Sequence, residues 1–317
     1  MSAFEPHRFS RGGHRQTMLG YWFRRRLAWP LSADDLQVET EDGSRLLLRC
    51  TWQPGPREAA PALLLLHGMG GSDASSYMLA TGQHAYARGW HVVRMNMRGS
   101  GDALELDPRL YNAGHDGDVV AALQAVARET PRLAAVGFSL GAGLVLLALG
   151  RRARLLPAGL LGAAAISPPL DLAACAATLE RPWNRGYQWW FMRGLRAGYD
   201  ARQRRRPDLY AAGLADRART VREFDEIITA PYGGYTGAAD YYARSSAGPH
   251  LGGIAVPTLL LAAEDDPMIP GESVRRFPLP ADGAVAREMY PTGGHVGFVA
   301  AAAGVPGGLW AARRALD

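Results

Sequence analysis

Residues 133–143 read LAAVGFSLGAG, and this stretch decides the fold. It opens with an apolar run of strand length, continues as a G-x-S-x-G pentapeptide, and leads into an apolar run rich in small residues that favours a helix. The turn between strand and helix forces its serine into a strained backbone conformation, which requires small residues two positions before and two after it. Gly137 and Gly141 meet that requirement, so the pattern predicts that Ser139 is a nucleophile held above the edge of a sheet.

The context of the pentapeptide matters because glycine is abundant, at 38 of 317 residues. Residues 36–41 and 45–52 alternate in hydrophobicity around Asp42-Gly43, which predicts a hairpin of two antiparallel strands. Further apolar runs predict strands at residues 62–66, 90–95, 160–166, 257–262 and 284–290, with helices at 77–88 and 116–129. This alternation predicts one α/β domain over residues 1–317, built on a mostly parallel, doubly wound sheet.

Two segments do not follow the alternation. Residues 1–30 lack a clean periodicity, and we interpret them as an N-terminal arm laid over the core. Residues 170–251 are helical in pattern and rich in aromatic side chains, which predicts a cap inserted into the domain. The aromatic residues are Trp183, Trp189, Trp190, Phe191, Tyr199, Tyr210, Tyr232, Tyr235, Tyr241 and Tyr242. They could house an apolar acyl chain or form the cap's own small core, and the sequence leaves both open.

The chain is basic, with a net charge of +5, and all 35 of its basic residues are arginine. Basicity built from arginine alone, in a chain rich in alanine and glycine, indicates a coding bias rather than a ligand. The densest runs, residues 24–26 and 202–206, are not interleaved with stacking aromatics, so we expect no nucleic acid partner. We interpret both runs as solvated faces, with contact to an anionic headgroup or substrate as the lesser alternative. Aromatic residues next to arginine at 21–26 leave peripheral membrane contact open.

Cofactor and targeting signals are missing from the sequence. Cys50 and Cys175 are isolated, so they support neither a disulfide framework nor a zinc site. No His, Asp and Glu triplet has metal spacing, and the glycine-rich loop lacks the Lys-Ser/Thr of a phosphate-binding loop, so we expect no metal or other cofactor. The start of the chain lacks a signal pattern and no apolar run reaches membrane-spanning length, which predicts a cytoplasmic protein without an integral membrane segment.

The residues required to activate a serine follow the later strands. A serine hydroxyl is a poor nucleophile unless a histidine takes its proton, and the histidine needs a carboxylate to fix its tautomer. Asp265 and Asp266 follow the strand at 257–262, and the glycine-flanked His295 follows the last strand. Because doubly wound sheets carry their sites at the carboxyl ends of the strands, we expect Ser139, one of the two acids and His295 to meet there. The residues alone do not decide between the two acids.

A glycine-rich loop after the strand at 62–66 completes the expected site. Residues 67–72 read HGMGGS, and their small side chains allow backbone N–H groups to approach a reacting carbonyl oxygen. We expect the N–H groups of Met69 and Leu140 to form the oxyanion hole, since Leu140 directly follows the nucleophile. His67, His14 and His115 are interpreted as residues that brace or cap their segments.

Motifs along nearly the whole chain resemble those of one family. They are residues 13–17 (GHRQT), 98–101 (RGSG), 111–114 (YNAG), 224–225 (FD), 229–231 (TAP), 240–242 (DYY), 265–267 (DDP) and 294–298 (GHVGF). Together with the pentapeptide they resemble the α/β-hydrolase superfamily, and within it the YheT-like branch that also holds eukaryotic ABHD-type proteins and yeast medium-chain acyl esterases. The resemblance implies that Ser139 is the nucleophile, His295 the general base and Asp266, which precedes the proline, the acid, with Asp265 as the alternative.

The resemblance also implies a function. We expect a serine hydrolase that cleaves carboxylic esters with short to medium acyl chains through an acyl-enzyme, acting on a small-molecule ester or a lipid. The alternatives on the same triad are acyl transfer from an acyl-CoA or ester to an alcohol, and phospholipase-like hydrolysis of a lipid. A non-catalytic binding protein on a hydrolase scaffold is a third possibility.

Overall fold

A twisted sheet forms the centre of the computed structural model, which describes residues 4–24, 27–301 and 310–317. The strands are β1 (Asp34–Glu39), β2 (Arg45–Thr51), β3 (Ala62–Leu66), β4 (His91–Asn96), β5 (Leu133–Phe138), β6 (Leu160–Ile166), β7 (Thr258–Ala263) and β8 (Val285–Tyr290). Their order in the sheet is β1-β2-β4-β3-β5-β6-β7-β8. The pairs β1–β2 and β2–β4 are antiparallel and the others are parallel.

The α/β fold with a mostly parallel sheet, predicted from the alternation of strands and helices, is confirmed. Every residue of β3 is buried, because helices cover both faces of the sheet at its centre. The hairpin predicted around Asp42-Gly43 is present as β1 and β2. Because the parallel strands all point the same way, the loops that follow β3, β5, β7 and β8 gather at one edge of the sheet.

The helices pack on the two faces of the sheet and above its carboxyl edge. They are α1 (Gly13–Arg24), α2 (Ser76–Ala87), α3 (Ala103–Leu106), α4 (Asp116–Glu129), α5 (Leu140–Arg151), α6 (Leu172–Leu179), α7 (Arg185–Arg205), α8 (Val221–Phe224), α9 (Ala230–Tyr232), α10 (Ala238–Ser245), α11 (Gly271–Arg275) and α12 (Trp310–Leu316). Among the described residues, none of these helices combines the length and apolarity that a bilayer crossing demands.

The N-terminal segment is more regular than its sequence indicates, because α1 is a helix of 12 residues. Its apolar residues do not gather on one face, so the periodic signal of a helix is weak, and contacts with the rest of the chain hold it instead. Gly13 lies so close to the loop after β7 that a Cβ atom there would be 1.6 Å from the Asp265 carbonyl oxygen. Tyr21 and Trp22 are exposed, while residues 25–26 of the proposed membrane contact lie outside the described residues.

Helices α6 to α10 all lie between β6 and β7, where residues 170–251 were expected to form a cap. Several of the aromatic residues form a core within this layer, since Tyr199, Tyr210 and Tyr241 are buried. Tyr199 packs edge-on against Tyr210, with 5.5 Å between ring centroids. Others, such as Trp183 and Trp189, are exposed. The aromatic residues of this layer therefore divide between packing and surface.

A buried ion cluster ties the loop after β4 to two other parts of the fold. The Arg98 side chain is 4% exposed. Its Nε donates to Asp118 Oδ2 of α4 at 2.9 Å, and its Nη1 donates to Asp42 Oδ2 of the hairpin turn at 2.7 Å. Since Asp118 is also buried, removing the arginine would leave a carboxylate without its partner in a water-poor site.

We expect Arg98→Met to lower the free energy of unfolding by about 3–5 kcal/mol, because it leaves buried Asp118 unpaired. The measurement is urea unfolding followed by circular dichroism. Arg244→Met is the matched control, because Arg244 pairs with Asp240 at the surface and such pairs contribute about 1 kcal/mol or less. Equal losses for the two variants would show that the Arg98 cluster does not hold the fold together.

Candidate active site

Ser139 sits at the sharp turn between β5 and α5, with φ 51° and ψ −120°. This left-handed conformation is strained for a residue with a side chain. The turn is held by the N–H of Ser139, which donates to the Ile166 carbonyl at 2.9 Å. A Cβ atom on Gly137 would lie 2.4 Å from the Gly141 carbonyl oxygen, and one on Gly141 would lie 2.5 Å from the His67 carbonyl oxygen. Glycine is therefore required on both sides of the serine, as the pentapeptide indicated.

A continuous chain of hydrogen bonds joins Ser139, His295 and Asp266. His295 Nε2 lies 2.8 Å from Ser139 Oγ, and His295 Nδ1 lies 2.8 Å from Asp266 Oδ2. The Asp266 side chain is 1% exposed, and its Oδ1 accepts the N–H groups of Met268 and Ile269. Because a carboxylate oxygen accepts, Nδ1 carries the imidazole proton and Nε2 is free to accept the serine proton. The arrangement can thus transfer a proton from Ser139 to His295.

Asp265 makes a different set of contacts from Asp266. Its Oδ1 accepts the N–H groups of Gly293 and Gly294, each at 2.9 Å, and its Oδ2 accepts the Thr292 hydroxyl at 2.5 Å. These are residues of the loop that leads to His295. The structure therefore brings Asp266 to the imidazole and uses Asp265 to hold the loop, a distinction that the sequence alone left open.

The loop that carries His295 is braced from outside by α1. Thr17 Oγ1 accepts the His295 N–H at 2.8 Å and donates to the Gly13 carbonyl at 2.8 Å. The Gln16 side chain is fully buried, donating to the Val299 carbonyl and accepting the Val299 N–H. The motif at 13–17 is recognisable in the sequence, but the contacts of Gln16 and Thr17 with the loop of His295 were not predicted from it. The polar Gln-Thr pair is visible in the sequence, but its partners are not, because they lie near the other end of the chain.

The glycine-rich loop after β3 packs directly against the serine. A Cβ atom on Gly68 would lie 3.1 Å from Ser139 Cβ, so a larger residue would crowd the turn. His67 braces this loop by donating from Nδ1 to the Gly68 carbonyl at 2.7 Å and accepting the Met97 N–H at Nε2. Burial lowers the pKa of His67 to about 4, which keeps the ring neutral, and it acts as the brace that was expected.

The N–H groups expected to bind an oxyanion are both available. Leu140 is the first residue of α5, so its N–H has no acceptor within the helix. Within the described part of the chain, the N–H groups of Met69 and Leu140 both lack an acceptor. Both residues line the same cavity as Ser139 and His295. An oxyanion hole requires two such donors near the nucleophile, so the N–H groups of Met69 and Leu140 remain its predicted donors.

The cavity above Ser139 has a volume of about 520 Å³. Its floor comes from the loops at the carboxyl edge of the sheet, and its walls come from α6, α7 and residues 221–242. The wall is largely apolar, with Leu172, Leu179 and Phe191 from the helical layer and Met268 and Ile269 from the loop after β7. A cavity of this size and character suits a small or medium-sized apolar ligand.

Polar side chains interrupt the apolar wall: Ser100, Asn112, Arg202 and Thr229 are buried and Asp225 is half-buried. Interpreting residues 202–206 as a wholly solvated face was wrong, because Arg202 is 5% exposed. It lies on the inner side of α7, whereas Arg205 and Arg206 of the same run are exposed. Burial raises the pKa of Asp225 to about 6. Hydrogen bonds with Thr229 and Tyr242 act in the opposite direction, because they stabilise the carboxylate, but burial has the larger effect.

Neither cysteine has a partner, and both are buried. Burial raises the pKa of the Cys50 thiol to about 12 and that of Cys175, which lines the cavity, well above its ordinary value. Both are therefore poor nucleophiles at neutral pH. Over residues 4–24, 27–301 and 310–317, no group of three or more His, Cys, Asp or Glu side chains is arranged to hold a metal ion.

Comparisons with known proteins place these features in a family. Residues 61–302 match the family model of the α/β hydrolase fold. YheT of Escherichia coli, named as an esterase, is 33% identical over 300 residues, which cover 93% of this chain and 87% of that protein. The phospholipase ABHD3 of Mus musculus is 28% identical over 272 residues, or 83% of this chain and 65% of that protein.

A yeast protein and an archaeal crystal structure are also similar to this chain. The monoacylglycerol lipase of Saccharomyces cerevisiae is 28% identical over 258 residues, which cover 76% of this chain and 55% of the yeast protein. The chain thus spans less than two thirds of the length of these mouse and yeast relatives. The Pyrococcus furiosus esterase Pf2001 has a TM-score of 0.56 over 90% of both chains at 16% identity, which is a likeness of fold.

The raised pKa of Asp225 predicts a pH dependence of stability. Burial raises the pKa of this carboxyl from its ordinary value of 3.8 to about 6 in the folded chain, so the folded state holds an extra proton between those pH values. Its contribution to stability therefore falls as pH rises from about 4 to about 6. Asp225→Asn removes this loss, and we expect the variant to gain stability relative to the parent over that window, by on the order of 3 kcal/mol at pH 7.

The measurement is urea unfolding of both proteins at pH values from 4 to 8. Asp240→Asn is the matched control, because the pKa of half-buried Asp240 is lowered by the Thr236 N–H and by Arg244. The stability of Asp240→Asn relative to the parent should fall as pH rises, which is the opposite direction. A difference between Asp225→Asn and the parent that does not vary with pH would show that Asp225 is not held in its neutral form.

Proposed function

This chain belongs to the α/β-hydrolase family, within its YheT-like branch, and from that membership we propose that it is a serine hydrolase acting on carboxylic esters with short to medium acyl chains. The observation that carries the proposal is the hydrogen-bond chain from Ser139 through His295 to Asp266, with 2.8 Å at each step. A serine bonded to a histidine that is itself bonded to a buried carboxylate is the arrangement that makes a hydroxyl nucleophilic. The name of the Escherichia coli relative of similar length, an esterase, supports the same reaction.

The first half of the reaction forms an acyl-enzyme. Ser139 Oγ attacks the ester carbonyl carbon while His295 Nε2 takes the hydroxyl proton, and Asp266 stabilises the imidazolium that results. The carbonyl oxygen becomes an oxyanion between the N–H groups of Met69 and Leu140. His295 then gives its proton to the leaving alkoxide as the carbon–oxygen bond breaks, which releases the alcohol.

The second half returns the enzyme to its starting state. Water enters the place of the alcohol, His295 takes one of its protons, and the resulting hydroxide attacks the acyl carbon. Collapse of the second oxyanion releases the carboxylic acid and returns the proton to Ser139. If an alcohol is admitted in place of water, the same steps yield a new ester, so analysis of products in the presence of ethanol distinguishes hydrolysis from acyl transfer.

Hydrolysis of a lipid on the same serine is the second candidate. The names of two relatives favour it, since one is a phospholipase and another a monoacylglycerol lipase. The apolar wall formed by residues such as Leu179 and Phe191 suits the acyl chain of a lipid as well as that of a smaller ester.

The cytoplasmic location, the lack of a nucleic acid partner and the peripheral membrane contact remain predictions.

We expect Ser139→Ala to abolish hydrolysis of 4-nitrophenyl butyrate, because the hydroxyl is the nucleophile, while the melting temperature stays close to that of the parent. The measurement is initial rate together with thermal unfolding. Labelling by a fluorophosphonate probe should also be lost. Substantial turnover by the folded variant would move the nucleophile to another residue.

Asp266→Asn should lower kcat on the order of 10⁴-fold, because the amide no longer fixes the imidazole tautomer. Asp265→Asn should cost much less activity, and its main effect should be a lower melting temperature, because Asp265 holds residues 292–294. Both variants are assayed on the same ester, with melting measured in parallel. The opposite ranking of the two activities would assign the acid to Asp265.

The cavity predicts a dependence on acyl-chain length. Each buried CH₂ group favours binding by up to about 0.8 kcal/mol, so kcat/KM should rise up to roughly fourfold per added methylene until the cavity is full. We expect the optimum at a short to medium chain. The test is kcat/KM for 4-nitrophenyl esters from acetate to palmitate, below their critical micelle concentrations. A flat profile would show that the helical layer does not bind the acyl chain, and a continued rise to palmitate would favour a lipid.

A further inference from the structure

The buried arginines of this protein differ in how their charge is balanced. Among the described residues, Arg94, Arg98 and Arg202 are the arginines with less than a tenth of their surface exposed. Arg94 lies 3.5 Å from an Asp73 carboxylate oxygen, and Arg98 is paired with Asp42 and Asp118. No carboxylate among the described residues lies within ion-pair distance of Arg202. Its charge is therefore buried without a counter-ion.

The contacts of Arg202 leave part of its guanidinium unused. Nη1 donates to the Gly198 carbonyl at 2.8 Å, one turn earlier in α7, and Nη2 donates to the Gly99 carbonyl at 2.6 Å. Nε has no acceptor among the described residues. Two carbonyl oxygens satisfy hydrogen bonds but supply no negative charge, and a buried cation without one is costly to hold.

Arg202 lines the same cavity as Ser139. A second buried donor without a partner among the described residues is the Ser100 hydroxyl, and Ser100 also lines this cavity. The guanidinium lies over the loop after β4, where a Cβ atom on Gly99 would be 2.6 Å from Nη2. The Tyr111 hydroxyl, another cavity residue, accepts the Gly70 N–H at 2.7 Å and so connects this wall to the glycine-rich loop.

None of the described carboxylate groups forms an ion pair with Arg202. Asp107 contributes to the electrostatic environment of Arg202, but it is already bound by Arg109 at 2.7 Å and by the Ser44 hydroxyl at 2.8 Å. Burial lowers the pKa of Arg202, yet a guanidinium remains protonated at neutral pH. Within the described residues, the guanidinium at this cavity wall thus has no carboxylate partner at ion-pair distance.

We propose that Arg202 and Ser100 form an anion subsite, which binds a phosphate or carboxylate group carried by the substrate in the same molecule as the ester that Ser139 attacks. This inference rests on the proposed ester hydrolysis and adds to it the class of substrate, an anionic ester. A guanidinium edge and a hydroxyl are donors that suit the oxygens of either group.

The kinetic test uses substrates that differ only in the anionic group. The carboxylate pair is mono-4-nitrophenyl glutarate and 4-nitrophenyl pentanoate. The phosphate pair is dihexanoylglycerol phosphate and dihexanoylglycerol, both below their critical micelle concentrations. Arg202→Met should lower kcat/KM by about 10- to 100-fold on the anionic member of the preferred pair, and by less than about threefold on the neutral members. The substrate pair in which Arg202→Met lowers kcat/KM selectively on the anionic member shows whether the subsite binds a carboxylate or a phosphate.

Two further variants separate binding from a structural role. Arg202→Lys keeps the charge and should restore part of the activity on the anionic substrate. Arg196→Met is the matched control, because Arg196 also lies on α7 and donates to a carbonyl, that of Ala218 at 2.6 Å, but does not line the cavity. It should leave the ratio of anionic to neutral kcat/KM unchanged. Equal losses by Arg202→Met on anionic and neutral substrates would overturn the subsite.

A binding measurement covers the case in which Arg202→Met does not fold. Isothermal titration of the Ser139→Ala variant compares octyl phosphate, octanoate and octanol, which share a tail of eight carbons. We expect at least one of the two anions to bind about tenfold or more tightly than octanol. Equal affinities for all three would overturn the subsite. Because no turnover is involved, a failure of ester hydrolysis alone would leave this result intact.

Discussion

Close packing of backbone around Ser139 is the constraint on which the rest of the site depends. The serine holds φ 51° because β5 and α5 meet at a turn with room for no Cβ atom at Gly137 or Gly141. Its strain is sustained by the buried strands on both sides, and the Ser139 N–H is bonded to β6. The backbone of Ser139 therefore has a fixed position, and the other groups of the site are arranged around it.

The remaining groups of the site lie in loops at the carboxyl ends of other strands. The loop after β3 supplies Met69, the loop after β7 supplies Asp266, and the loop after β8 supplies His295. The last loop contains non-glycine residues with positive φ, Val296 and Phe298. It is held by its backbone N–H groups, which donate to the side chains of Asp265 and Thr17. Helices between β6 and β7 then close the space above the serine into a cavity.

Most of the fold and the order of the site residues could be predicted because they depend on local patterns. The turn at Ser139, the strands and the order of Ser139, acid and His295 follow from short motifs and apolar runs. The burial of Arg202 and the bracing by Gln16 and Thr17 could not be predicted, because they depend on segments far apart in sequence meeting in space. The choice between Asp265 and Asp266 needs the direction of each side chain, which a one-residue register decides.

The most direct test of the account is the site of acylation during turnover. Trypsin cleaves after Arg132 and Arg151, and the resulting peptide 133–151 contains Ser139 as its one hydroxyl-bearing residue. The protein is mixed with excess 4-nitrophenyl butyrate, quenched in acid within the turnover time, digested and analysed by mass spectrometry. The account predicts one butyryl group on peptide 133–151 of the parent and none on that of Ser139→Ala. A butyryl group on another peptide, with 133–151 unmodified while the ester is consumed, would contradict it.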